Sequence, residues 1–128
     1  MKLITFAVPC YNSEEYLSRC VESLLSAGND CEIILIDDGS TDNTGIIADR
    51  YERSYPDTVK AVHKENGGHG SGVNKGLELA SGLYYKVVDS DDWLDKKALK
   101  TLLERIKRDR EERNLPDVYI ADFVYEKV

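Results

Sequence analysis

The chain predicts an α/β domain of three layers, with a mainly parallel sheet covered by helices on both faces. Three observations carry this. Short apolar runs alternate with segments of helical period in the order βαβαβαβαβ. The second run, residues 31–36, is almost wholly apolar, as suits a parallel strand covered on both sides. Acidic residues collect where two of the runs end, at 37–38 and 89–92, the carboxyl ends at which parallel sheets hold ligands. With 128 residues, the chain makes a single domain, residues 1–128, large enough to bury its own core.

Residues 3–9 form the first strand. Asn12 and Ser13 are good N-caps, and Asn12 with Glu15 resembles a capping box. Leu17, Cys20, Val21, Leu24 and Leu25 then share one helical face, and Gly28 ends that helix. The second strand follows at 31–36. Ser40 to Asp42 offers caps for a second helix to about Tyr55, where Pro56 stops it. A third strand spans 58–63. A glycine-rich loop covers 67–72, and Val73, Gly76, Leu77 and Ala80 suggest a short third helix that ends near Gly82. The fourth strand is 83–88. Asp95 caps a long fourth helix that buries Leu99, Leu102, Leu103 and Ile106, with the mixed charges of 105–113 as its solvated end. Pro116 introduces a fifth strand from Asp117 to about Tyr125. Ile120, Phe123, Val124 and Tyr125 expect something to pack on, so the chain reads as incomplete relative to its functional unit. The strand edge at 119–128 could also promote association.

Composition narrows the function. The formal net charge is −7, and 32% of residues are charged. That balance excludes a nucleic-acid phosphate-backbone binder, which needs a basic face. Any bound phosphate needs help from a metal or from backbone N–H groups. Cys10, Cys20 and Cys31 are odd in number and lack C-x-x-C spacing, so they read as reduced thiols in a cytoplasmic context. No run is long enough to span a membrane. The apolar N-terminus lacks the small-residue cleavage site of a signal peptide. No Ser/His/Asp or Cys/His arrangement is legible, and His63 and His69 do not have zinc spacing.

The chemistry lies in the acids. Val87-Val88-Asp89-Ser90-Asp91-Asp92 runs a buried strand straight into an Asp-x-Asp cluster, and Leu35-Ile36-Asp37-Asp38-Gly39-Ser40 does the same. Crowded carboxylates repel and must be neutralised. A divalent cation, Mg²⁺ or Mn²⁺, with a diphosphate bound through it, is the natural compensator. Asp91 and Asp92 could instead cap the next helix, but Asp95 already fills that role. Asp37 and Asp38 precede a good turn sequence, yet two acids exceed what a turn needs, so one is expected to accept hydrogen bonds from a ligand base or ribose. The segment from Glu65 to Gly76 is not a Walker A loop, since Val73 stands where Lys should be. Gly70-x-Gly72 follows the third strand rather than the first, so it is no dinucleotide fingerprint. It could still present N–H groups to an anion at a helix N-terminus. A surface loop is the plain alternative. His69 is either a phosphate or sugar contact or simply solvated.

Taken together, Val8-Pro9-Cys10-Tyr11-Asn12, Ile36-Asp37-Asp38-Gly39-Ser40-Thr41-Asp42, Glu65-Asn66-Gly67-Gly68 through Asn74-Lys75-Gly76, and Asp89-Ser90-Asp91-Asp92-Trp93 resemble the family 2 glycosyltransferases. The order and spacing of the four motifs make the resemblance specific. It covers nearly the whole chain, but only the family's N-terminal, nucleotide-binding half. It implies the GT-A fold, a Rossmann-like three-layer sandwich, here truncated. It implies transfer of a sugar from a nucleotide-sugar donor, most often a UDP-sugar, to an acceptor hydroxyl with inversion. Pro9 and Tyr11 would border the base, Asp37 or Asp38 would contact base or ribose, and Asn66 would lie near both. Asp89 would sit by the ribose or sugar, and Asp91 would reach the diphosphate through Mg²⁺ or Mn²⁺. The catalytic base and most of the acceptor site would come from the half beyond Val128, so the fragment alone should be inactive. The acceptor is open. Such enzymes often work in the cytoplasm at the inner face of a membrane, so the full protein could associate peripherally with one. One departure stands out: Gly72-Val73-Asn74 replaces the family's Ala-Arg-Asn, which removes an Arg contact and leaves Lys75 or His69 as the candidates to replace it. The alternative is a complete, non-catalytic nucleotide- or metal-binding module. A phospho-acceptor receiver would need its acid pair after the first strand, where Pro9-Cys10-Tyr11 stands. An oxidoreductase would need its glycines there.

Overall fold

The structure, a computed structural model, describes residues 1–119. Among these residues nine elements follow one another: β1 (Ile4–Cys10), α1 (Leu17–Leu25), a 3₁₀ turn (Gly28–Asp30), β2 (Cys31–Asp38), α2 (Thr44–Ser54), β3 (Val59–Lys64), α3 (His69–Leu79), β4 (Tyr84–Val87) and α4 (Lys96–Glu111). The four strands form one sheet in the order β3-β2-β1-β4. Every pairing is parallel, with Ile4 opposite both Cys31 and Tyr84, and Ile33 opposite Val59. This is the α/β sandwich expected. Residues 117–119 of the anticipated fifth strand are irregular, and its remainder lies outside the described residues.

The two faces of the sheet are unequal. Because side chains alternate along a strand, Phe6, Val8, Ile33 and Leu35 point one way into the main core. There they meet Leu17, Cys20, Val21 and Leu24 of α1, Ala48 of α2, and Leu99, Leu103 and Ile106 of α4. Ala7, Ile34 and Ile36 point the other way with Val62 and Tyr85, and there α3 packs against β1 and β2. That face is built for close approach. A Cβ on Gly76 would lie 2.7 Å from the Ala7 Cβ, and one on Gly72 would lie 3.0 Å from the Pro9 Cβ. Glycine at both positions lets the helix axis come nearer to the sheet than any side chain would permit.

Two local expectations are corrected. The glycine-rich stretch is not a loop to residue 72, because α3 already begins at His69. Gly72 and Gly76 answer a packing need, which glycine content alone cannot separate from a need for a turn. Asn12 and Ser13 do not cap α1 through their side chains; that helix starts at Leu17 after Tyr16, with no side-chain cap. Asn12 adopts φ 46°, a left-handed conformation Asn tolerates better than most residues. Its Oδ1 accepts from the Thr41 N–H at 2.8 Å. It therefore ties the end of β1 to the turn after β2. Asp95 caps α4 as expected, accepting from the Lys97 N–H at 2.8 Å.

Candidate nucleotide and metal site

The carboxyl ends of β1, β2 and β4 open into a cleft of about 420 Å³ lined by Pro9, Tyr11, Tyr16, Asp38, His69, Asp89 and Asp91, among others. Larger cavities lie elsewhere, such as one of about 590 Å³ beside Arg19 and Trp93. The smaller cleft is the one at the strand ends, where a parallel sheet leaves its loops free to bind. Of the residues singled out from sequence, Pro9, Tyr11, Asp38, Asp89 and Asp91 line it. Asp37 and Asn66 do not.

The two acids of β2 end up with different partners because alternation sends them to opposite sides. Asp38 accepts from Lys64 Nζ at 2.9 Å, from the Gly67 N–H at 2.8 Å and from the Gly68 N–H at 2.9 Å. Burial would raise its carboxyl pKa, but Lys64 and the two backbone donors outweigh it and hold the group below the usual carboxylate range. These bonds occupy three of roughly four acceptor directions on a carboxylate. Asp37 accepts from the Ser40 N–H at 3.0 Å and meets His63 Nδ1 at 2.9 Å. Asn66 stands behind the cleft wall, donating to the Asp38 carbonyl at 3.1 Å and packing over Gly39.

The strand-to-helix segment after β4 carries the third wall. Asp89, Asp91 and Asp92 each offer a carboxylate oxygen, and these lie within 4.8 Å of one another. Asp89 and Asp91 are exposed, and Asp92 is buried beneath them. An all-oxygen, anionic donor set suits a hard divalent cation such as Mg²⁺ or Mn²⁺. His69, at the start of α3, reaches Asp89 Oδ1 at 3.1 Å, so it is engaged rather than merely solvated. Ser13 Oγ and Ser90 Oγ are 2.7 Å apart, which joins the loop after β1 to the acidic segment. Cys10 also borders the cleft, but burial, aided by Asp37, pushes its thiol up to about 12. It is a neutral packing group and no nucleophile.

Sequence reading missed the ring of contacts around His63. Its Nδ1 meets Asp37, and its Nε2 lies 2.7 Å from Asp49 Oδ1 on α2. The only local hint was an Asp-Asp pair too acidic to stand without a cation.

Known proteins place this geometry. The glycosyl transferase family 2 model matches residues 5–124. Over 108 residues the chain is 41% identical to the glycosyltransferase GlyG of Streptococcus pneumoniae serotype 4, covering 83% of this chain and 36% of that protein. It is 36% identical over 108 residues to an Escherichia coli chondroitin synthase, covering 84% of this chain and 16% of that one. The crystal structure of Staphylococcus aureus TarS 1-349 in complex with UDP superimposes with a TM-score of 0.73 at 32% identity, over 86% of this chain and 33% of that chain. The chain thus spans little more than a third of these relatives, or less. Four parallel strands, the acid-lined cleft at their carboxyl ends and a match over nearly all of its length lead to one conclusion: the chain belongs to glycosyl transferase family 2.

Proposed function

We propose that this chain is the donor-binding part of a glycosyltransferase that moves a sugar from a UDP-sugar to an acceptor hydroxyl, with inversion and with the help of Mg²⁺ or Mn²⁺. The observation that carries the reading is the convergence of Pro9, Tyr11, Asp38, Asp89 and Asp91 on one cleft, with the carboxylates of 89, 91 and 92 within 4.8 Å of one another. The similar TarS fragment, solved with UDP and with UDP-GlcNAc, supports a uridine nucleotide.

Pro9 and Tyr11 flank the base, and the exposed Tyr11 ring offers it an apolar face. Asp38 turns its remaining acceptor direction to a base N–H or ribose hydroxyl. Asn66 and Asp37 hold that wall from behind. Asp89 takes a ribose or sugar hydroxyl, with His69 as its neighbour. Asp91 holds the cation, flanked by Asp89 and Asp92. When bound, the cation offsets the charge that grows on the departing diphosphate. The first turn of α3 adds backbone N–H groups that have no acceptor within the helix and a positive dipole end at the same cleft. The general base and the acceptor site are assigned outside this chain, so the fragment should hold nucleotide weakly and transfer little or no sugar. The reaction is assigned to the cytoplasm, with the whole protein at the inner face of a membrane. Three buried, unpaired thiols support that compartment. Among the described residues no helix is long and apolar enough to cross a membrane.

Calorimetric titration of UDP with and without Mn²⁺ tests the reading. Binding should need the metal and vanish in Asp91→Ala. Tight binding indifferent to both would overturn the assignment.

A further inference from the structure

We propose that His63 is a positioning residue for the cleft: it bridges Asp37 on β2 to Asp49 on α2, and so holds the turn at 39–42 on which Asn12 is anchored. The inference rests on the donor-binding reading for its function and on geometry for its structure.

The bridge is the start of a continuous chain of contacts. His63 Nδ1 lies 2.9 Å from Asp37 Oδ2, and Nε2 lies 2.7 Å from Asp49 Oδ1. The other Asp37 oxygen accepts from the Ser40 N–H at 3.0 Å. Ser40 Oγ accepts from the Asn12 N–H at 3.0 Å, and Asn12 Oδ1 returns to the Thr41 N–H at 2.8 Å. Asn12 lines the cleft beside Tyr11. Space behind the bridge is tight: a Cβ on Gly45 would sit 2.7 Å from Asp37 Oδ2 and 3.3 Å from the imidazole Cε1. Asp37 therefore has little freedom to move except through its bond to the ring.

Only the imidazolium can donate to both acids at once; a neutral ring donates to one and turns a lone pair towards the other. The charged groups that face the ring are Asp37 from β2 and Asp49 from α2. Lys64, the next residue of β3, points to the opposite side, into Asp38. Asp37 and then Asp49 hold the proton on His63 and raise it above the ordinary imidazole value, with partial burial opposing. The bridge is thus complete below that raised value for as long as both acids stay ionised. It loses one arm as pH rises through that raised value, and the Ser40 turn loosens with it.

The test follows the backbone amides of Ser40 and Asn12 by NMR across pH, beside the His63 ring signals. In the unaltered chain both amides should titrate with the ring's own midpoint. Asp49→Asn, a change at a partly exposed site, should lower that midpoint for ring and amides together. His63→Gln should flatten both amide curves and weaken UDP binding in the presence of Mn²⁺ about fivefold, the worth of one hydrogen bond. Amides that ignore the ring's titration overturn the proposal, as does His63→Gln binding UDP as tightly as the unaltered chain. Should His63→Gln fail to fold, the shared midpoint shift in Asp49→Asn decides. If the unaltered chain binds no UDP, the donor reading fails instead, and the amide titration still decides the bridge.

Discussion

Asp38 shows how one residue can hold structure together while lining the cleft. Its carboxylate is nearly buried, and Lys64, itself mostly buried, supplies the compensating charge. Removing the lysine leaves a charge facing a low-dielectric wall with only backbone donors. Lys64→Met should therefore cost about 2 kcal/mol, the penalty for a buried group deprived of a partner, read as a fall in urea midpoint at neutral pH. The pH dependence has a definite sign. Because the folded carboxyl lies below its unfolded value, its stabilisation is present above the unfolded pKa of about 3.9 and is lost as pH falls through the folded value. Lys64→Met should flatten that acid limb. A variant as stable as the parent, with an unchanged limb, would mean that the pair contributes nothing.

At the scale of an element, α3 is the informative one. It has to sit close to β1 for its first turn to reach the cleft, and its glycines are sorted by that demand. Gly76 faces the sheet, where an added Cβ would strike both the Ala7 Cβ and, at 2.8 Å, the Tyr85 hydroxyl. Gly76→Ala should cost about 1–3 kcal/mol through overpacking. Gly70 has nothing within 4 Å of an added Cβ, so Gly70→Ala should be neutral or stabilise by up to about 1 kcal/mol, the helix preference of Ala over Gly. Urea unfolding of the two variants side by side checks this. Equal effects at both positions would show that the helix does not rest on the sheet as closely as described.

Across the whole molecule, Glu32 and the acids of the cleft stand at opposite poles of the sheet. At the carboxyl ends of the strands Asp38, Asp89 and Asp91 line the cleft. At the amino end stands Glu32, 3% exposed, which accepts from Thr5 Oγ1 at 2.9 Å, from the Ser81 N–H at 2.9 Å and from Lys60 Nζ at 2.8 Å. It thereby joins β1, β2, β3 and the approach to β4. Burial pushes its carboxyl up, but Lys60, Ser81 and Thr5 prevail and hold it at about 2. Its stabilisation should be intact above the unfolded value of about 4.3 and decline as pH falls towards 2. Glu32→Gln should lower the thermal midpoint at pH 7 and narrow its difference from the parent near pH 2. It should leave UDP affinity unchanged, because Glu32 stands at the far pole from the cleft. A loss of UDP affinity in a folded Glu32→Gln chain would break the separation of the two poles.

The order of strands and helices was legible in the residues themselves, because apolar runs, helical spacing and breakers such as Gly28 and Pro56 are local signals. Asp89-x-Asp91 could also be recognised, since a strand that ends in clustered acids is locally improbable without a compensating cation. What could not be read were relations between residues far apart in the chain. Asp37 and His63 lie 26 residues apart in sequence, and Asn12 and Thr41 lie 29 apart; they meet only because β1, β2 and β3 are neighbours in one sheet. The same register decided which acid of the Asp37-Asp38 pair borders the cleft, for alternation sends one carboxylate to each side and the hydrophobic pattern of an almost wholly apolar strand does not mark the sides. The glycines of α3 were ambiguous for the same reason. Composition announces that a Cβ is missing, but only the neighbour it would have struck says why.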